Sequence, residues 1–199
     1  ALRFTNVAMA SLGGVLKLDM QRIAGYRNFG TKLWNAARFC QMNECVLWAP
    51  ERFDPAALKQ PINQWIVGEL VQTIEKVTSS LEGYRFNDAA TACYRFIWNI
   101  FCDWYVELIK PLLNGDDDEA KSETRQTAAW ILDETLKMLH PFMPFITEEL
   151  WEQLAEFGPG RSGLLMLSDW PTHSMDLVKP EAAEEVDWVI DFISEIRGL

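Results

Sequence analysis

The stretch Tyr26–Phe39, YRNFGTKLWNAARF, has room for only one regular conformation. Turned by about 100° per residue, Ile23, Tyr26, Phe29, Gly30, Leu33, Ala37 and Cys40 gather on one side, a grouping that the two-residue period of a strand would scatter over both faces. The spacing predicts an amphipathic helix from about Asp19, a good N-cap, to Asn43, with that stripe in a core. On the other side, Asn28, Thr31, Lys32, Asn35, Arg38, Phe39 and Met42 share an arc of roughly 120° that is expected to face solvent. A solvated helix face is usually Glu and Lys. This one has no carboxylate, and it carries cations, amides, a hydroxyl and a phenyl ring, the groups that contact phosphates, bond base edges and stack on unpaired bases. The competing reading of the same residues is a polar surface covered by another part of the domain.

Net charge first argues against a polyanionic partner, because it is −11 and phosphate binding is cationic. Its distribution reverses the inference. Residues 1–52 hold seven Lys and Arg against three Asp and Glu, a local balance of +4 that leaves −15 for the rest. An acidic body with one basic segment orients a polyanion toward that segment. The composition, 49% hydrophobic and 12% aromatic, supports a sizeable core. Cys40, Cys45, Cys93 and Cys102 form no CxxC pair and lie far in sequence from His140 and His173, so no metal site is expected. Cys40, Cys93 and Cys102 fall in apolar patterns, as small buried thiols of a reducing cytosol do. No run approaches the roughly 20 apolar residues of a membrane span, and ALRFTNVAMA lacks a basic leader. The chain is expected to be cytoplasmic, monomeric and free of membrane contact. Its start without Met reads as a piece of something longer.

The remaining elements repeat the helical period. Leu2, Phe4, Val7, Ala8 and Ser11 suggest a short helix ended by Gly13-Gly14. Pro61 opens a second long helix, with Ile62, Trp65 or Ile66, Leu70, Ile74, Val77 and Leu81 along its seam, ending near Gly83. Asn87 is expected to cap a third, carrying Ala89, Cys93, Phe96, Ile97, Ile100, Trp104 and Leu108 as far as Pro111, antiparallel to the second. A fourth, about 122–139 and capped by Ser122 or Thr124, follows the acidic turn NGDDDE and stops at His140-Pro141. A fifth piece, Phe145–Phe157, restarts after Pro144. Leu164–Pro171 reads as extended, and Ala182–Leu199 as a last helix with Val186, Val189, Ile190, Ile193 and Ile196. The fold class is all-α, a helical bundle with a short extended segment and a C-terminal helix. Its divisions are 1–18 as a connection, 19–157 as the bundle, 158–180 as loop and extended segment, and 181–199 as the final helix.

Chemistry is thin. Asp116–Glu119 lacks the glycine-turn spacing of a calcium loop, His140 has no nucleophile beside it in sequence, and Gly13-Gly14 belongs to no phosphate-binding pattern. No catalytic residue, metal or cofactor is expected in this chain.

Separate stretches, namely ALRF, KLD at Lys17–Asp19, GYRNFGTKLWNAARF, YRFNDAA, FCDWYVELIK and HPFMPFITEELW, in this order, resemble the helical anticodon-binding domain of valyl-tRNA synthetase. HPFMPFITEELW alone marks the wider class I group with the isoleucyl and leucyl enzymes, whereas WNAARF, YRFN and FCDWYVE favour the valyl member. The resemblance implies that the chain binds tRNA(Val) through its anticodon, and that ATP, magnesium, valine and editing sites lie in catalytic and editing domains upstream, with a coiled coil downstream. It carries Lys32, Asn35, Arg38 and Phe39 onto the anticodon loop, alongside the arc members Asn28, Thr31 and Met42, with Arg22 and Arg27 as phosphate contacts. Thr31 stands where relatives often have Asn, which puts a base contact there in doubt. HPFMPFITEELW is expected to fix a kink and bury Phe142, Phe145 and Trp151. Trp98, Trp104 and Tyr105 are read as core aromatics, and Arg85 and Arg95 as ion-paired supports. The alternatives are the equivalent isoleucyl or leucyl domain, or a helical protein-interaction module.

Overall fold

In the computed structural model, which describes residues 1–10, 19–161 and 163–198, the two long helices predicted from periodicity belong to one bundle, each packing against Phe96–Tyr105 and against the helix Asp118–Leu139. α2 (Met20–Met42) begins where Asp19 accepts the Gln21 amide at 2.8 Å, satisfying one of the donors that a helix start leaves free. α1 (Leu2–Met9) rests on it through Phe4, fully buried and packed on Tyr26, Phe29 and Phe142. Ser11, Gly13 and Gly14, the expected end of α1, lie outside the described residues, as do Lys17 and Leu18 of the KLD motif.

α3 (Pro61–Glu82) starts at its proline and buries Trp65, Ile66, Leu70, Ile74 and Val77. α2 and α3 end alike. The amide of Cys45 bonds the Cys40 carbonyl at 2.8 Å and that of Arg85 bonds Ser80 at 2.8 Å. Between each pair a non-glycine residue, Glu44 or Tyr84, takes a positive φ of 56° or 55°. This six-to-one closure normally places glycine at the left-handed position; Gly83 stands one residue too early, with φ −82°.

α4 (Phe86–Arg95) packs against α3. Asn87 does not cap it, since Arg85 precedes the first turn and Asn87 spends its amide on Asp88. The predicted straight third helix is then altered. Phe96–Tyr105 is π-helical and passes into α5 (Val106–Leu108), and Pro111 interrupts nothing because it lies in the first turn of α6 (Lys110–Asn114), where its missing N–H costs little. The wider turn moves burial to Phe101 and Tyr105 and leaves Trp98, Ile100 and Trp104 half-buried. Arg85 pairs with Asp88 at 3.3 Å.

α7 (Asp118–Leu139) begins four residues before the predicted start. Its cap is Asp117, which accepts the Ala120 amide at 3.0 Å, so neither Ser122 nor Thr124 is needed. Thr124 instead is buried with Asn63, whose amide donates to the Thr124 hydroxyl at 3.1 Å and to Glu123 at 3.0 Å, while its oxygen accepts from the Tyr105 hydroxyl at 2.9 Å. Glu123 also takes the Lys59 and Gln60 amides at the start of α3.

After His140 the chain turns into α8 (Pro144–Glu156). Thr147 donates to the Met143 carbonyl at 3.0 Å, so its oxygen is left to accept from His140 Nδ1 at 2.8 Å. Glu148 holds the Leu165 amide at 2.6 Å, securing the following segment. Phe142 is buried as expected, but Phe145 is 86% exposed, because Pro144 starts the helix with Phe145 on its outer side. Within the predicted extended segment 164–171 lies a 3-10 turn, Leu165–Leu167, flanked by extended backbone at Leu164 and Ser168. Trp170 then bonds Thr78 at 2.9 Å, and His173 bonds buried Glu134 at 2.6 Å. α9 (Pro180–Gly198) packs Ala182 and Val186 along α3 and carries Trp188 and Phe192, stacked in parallel, on its exposed side. No helix among the described residues is long and apolar enough to cross a membrane.

Candidate nucleic-acid interface

α2 buries Phe29, Leu33, Ala37 and Cys40 and turns Asn28, Thr31, Asn35, Arg38 and Met42 to solvent, Met42 being 78% exposed. The Thr31 hydroxyl donates to the Arg27 carbonyl at 3.3 Å, so it presents lone pairs outward. Arg27 and Arg38 are exposed, and Arg22, also exposed, lies 3.8 Å from Asp19.

Two members of the arc are not free in solvent. Lys32 and Phe39 are seven residues apart and therefore nearly in line, at the edge of the arc that meets the π-helical stretch. Phe39 is half-buried against the core, with the Lys110 ammonium 5.9 Å from its ring centre. The Lys32 ammonium sits 4.0 Å over the Trp98 ring and is ion-paired with Asp103. A carboxylate thus stands against a face whose own sequence has none.

Trp98, Asp103 and Lys110 complete this flank, and a reading of α2 alone misses them. Trp98 and Asp103 are five residues apart, which separates them by about 140° on an α-helix but aligns them where hydrogen bonds run from i to i+5. The π-helical turn is what brings both to Lys32. Trp98 is itself held by Tyr94, parallel at 5.6 Å, and by Phe29 at 6.4 Å.

The opposite flank is a cleft of 590 Å³ between α1, α2 and the Pro141–Pro144 corner, lined by Arg3, Arg27, Thr31, Trp34 and Phe145 among others. The cysteines take no part in the surface. All four are buried and free, and burial pushes the Cys102 thiol up to about 12, far from the thiolate needed for reactivity.

The acidic run beside α7 holds no convergent site. Asp117 is spent on its cap, and Glu119 points to Lys59 at 3.3 Å.

The family described as the anticodon-binding domain of tRNA ligase matches residues 63–199. The valine–tRNA ligase of Caulobacter vibrioides is 58% identical over the whole chain, which covers 22% of that protein. Those of Ruegeria pomeroyi and Rhizobium meliloti are 54% and 53% identical, again over the whole chain, covering 19% and 21% of their lengths. The chain therefore spans about a fifth of the curated relatives it matches. Among solved structures, the LeuRS chain of an Agrobacterium radiobacter K84 ternary complex with tRNA and LeuAMS superposes with a TM-score of 0.65. That match covers 89% of this chain and 20% of the other at 19% identity, a likeness of fold.

Proposed function

The chain belongs to the anticodon-binding domain family of tRNA ligases, and from that premise we propose that it recognises the anticodon arm of tRNA(Val) as part of a valine–tRNA ligase. The observation that carries the reading is the α2 surface. Asn28, Thr31, Asn35, Arg38 and Met42 are exposed along one line of approach, and the cations of residues 1–52 stand against an acidic remainder. In this reading Arg22, Arg27 and Arg38 meet phosphates or base edges, the amides of Asn28 and Asn35 bond bases, and Phe39 offers only the edge that the core leaves open.

Attachment of valine to tRNA(Val) with ATP and magnesium falls, in this proposal, to catalytic and editing parts of the parent protein, and a coiled-coil part braces the same tRNA. Of the Asp116–Glu119 run, Asp117 is spent on the α7 cap and Glu119 lies 3.3 Å from Lys59. The domain acts as a monomer in the cytoplasm.

The test is titration of the chain with tRNA(Val), tRNA(Ile) and tRNA(Leu) at two salt concentrations. Binding falls steeply with salt, and tRNA(Val) competes best. Arg38→Ala weakens binding by roughly 1–3 kcal/mol with selectivity relaxed at one anticodon position if it reads a base, or uniformly with a shallower salt slope if it touches phosphate. An Arg38→Ala chain that binds like the wild type overturns the assignment of this face. Phe39→Ala is the less clean variant, because its ring also packs in the core.

A further inference from the structure

We propose that Lys32 and Asp103 together form a base-edge reader in which Asp103 is the specificity-determining acceptor for an unpaired base bearing an exocyclic amine; this rests on the RNA reading above. A seat for phosphate needs uncompensated positive charge, and a carboxylate beside it repels the ligand. Arg27 and Arg38 meet that need, exposed and outside the ion pairs formed among the described residues. Lys32, on the same helix face, is neutralised by Asp103.

Lys32 is also immobilised. Its side chain is 24% exposed, and its ammonium lies 4.0 Å over Trp98, which Tyr94 and Phe29 hold in turn. The ordering cost of a long lysine is met before any ligand arrives, which favours precise recognition over loose charge contact. Asp103 is 46% exposed, and only its Oδ1 is engaged. Its other oxygen has no partner among the described residues, and an ammonium has three donors.

The pair therefore presents one acceptor beside one donor at the edge of a line of amides, Asn28 and Asn35. An amine next to a ring nitrogen, as in cytosine or adenine, matches that pattern, the amine donating to the carboxylate and the ring nitrogen accepting from the ammonium. Uracil presents a carbonyl where the amine would be and meets the carboxylate with repulsion.

The experiment uses the whole chain and a set of hairpin RNAs that differ at one unpaired loop base, titrated at two salt concentrations with wild type, Asp103→Asn and Asp103→Ala. Wild type prefers cytosine or adenine over uracil at one loop position. Asp103→Asn turns a donor toward the base and loses roughly tenfold or more of that preference. Asp103→Ala also loses it and steepens the salt slope by about one, as Lys32 is released to phosphate. If both variants tighten every hairpin by one common factor and keep the base preference, Asp103 only masks a cation and the inference is overturned. If wild type binds no hairpin at low salt, the recognition of RNA by this face falls and the reader with it. Binding with discrimination intact in the variants sinks the reader alone.

Discussion

Two polar assemblies touch the same π-helical stretch and differ in what they leave open. At Tyr105, the hydroxyl, Asn63 and Thr124 form a buried set, bordered by half-buried Glu123, in which the Asn63 amide has both its nitrogen and its oxygen bonded. At Asp103, the carboxylate holds Lys32 in a half-open setting, and its second oxygen has no partner among the described residues. Burial explains the contrast: a polar group withdrawn from water must find its partners within the protein, whereas one at the surface can leave a bond to water or ligand. The saturated assembly fixes where the stretch lies, and in the reader proposed above the unsaturated one uses that position. On that proposal shape and recognition are divided between two residues two positions apart in sequence.

The comparison can be broken at several strengths. Leu33→Ala empties a fully buried core position of α2 and should cost about 2–5 kcal/mol of folding energy, read as a fall in the melting transition with no change in the RNA preference of the fraction that stays folded. Tyr105→Phe strips one bond from buried Asn63 and should cost about 1–3 kcal/mol, again without touching RNA selectivity in the same hairpin titration.

A third polar contact, of intermediate burial, gives a pH readout. Burial holds the His140 imidazole below its ordinary 6.5 against the opposing pull of Glu148, so the folded chain keeps it neutral where the unfolded chain would protonate it. Stability is accordingly full above pH 6.5 and declines as pH falls below that value, until the folded imidazole too is protonated. Chemical denaturation at a series of pH values should show that slope, and His140→Gln should flatten it. Asp103→Asn should be the mildest, shifting stability by less than about 1 kcal/mol because the pair is partly solvated. Should it destabilise as much as Tyr105→Phe, the division between a fixing and a reading assembly is wrong.

Much of this was legible because the signals were local. Asp19, Pro61 and the 3.6-residue stripes of α2 and α3 mark their own helices, and the acidic run before α7 announces a helix start even though the cap proved to be Asp117. What escaped depended on a partner or on a change of period. Lys32 and Phe39 look solvated until α4 and its π-helical continuation arrive beside them. Trp98 and Asp103 look unrelated at the α spacing. Phe145, read as buried for its chemistry, is turned outward by the proline before it. Gly83 marked the end of α3 correctly, although the left-handed residue that closes the helix is Tyr84.

The π-helical stretch also sets a rule about chain length. Surface loops in general can gain or lose residues at modest entropic cost, but Phe96–Tyr105 sits inside a continuous rod whose two ends are both pinned, at Phe96 in the core and at Tyr105 on Asn63. Winding the same ten residues as an ordinary α-helix would turn Asp103 about 140° from Trp98, so that the two no longer met at Lys32, whereas removing one residue between them as well would return the pair to one face, four residues apart. This stretch therefore behaves as a counted spacer, in which residue number and winding must change together if both partners of Lys32 are to keep their places.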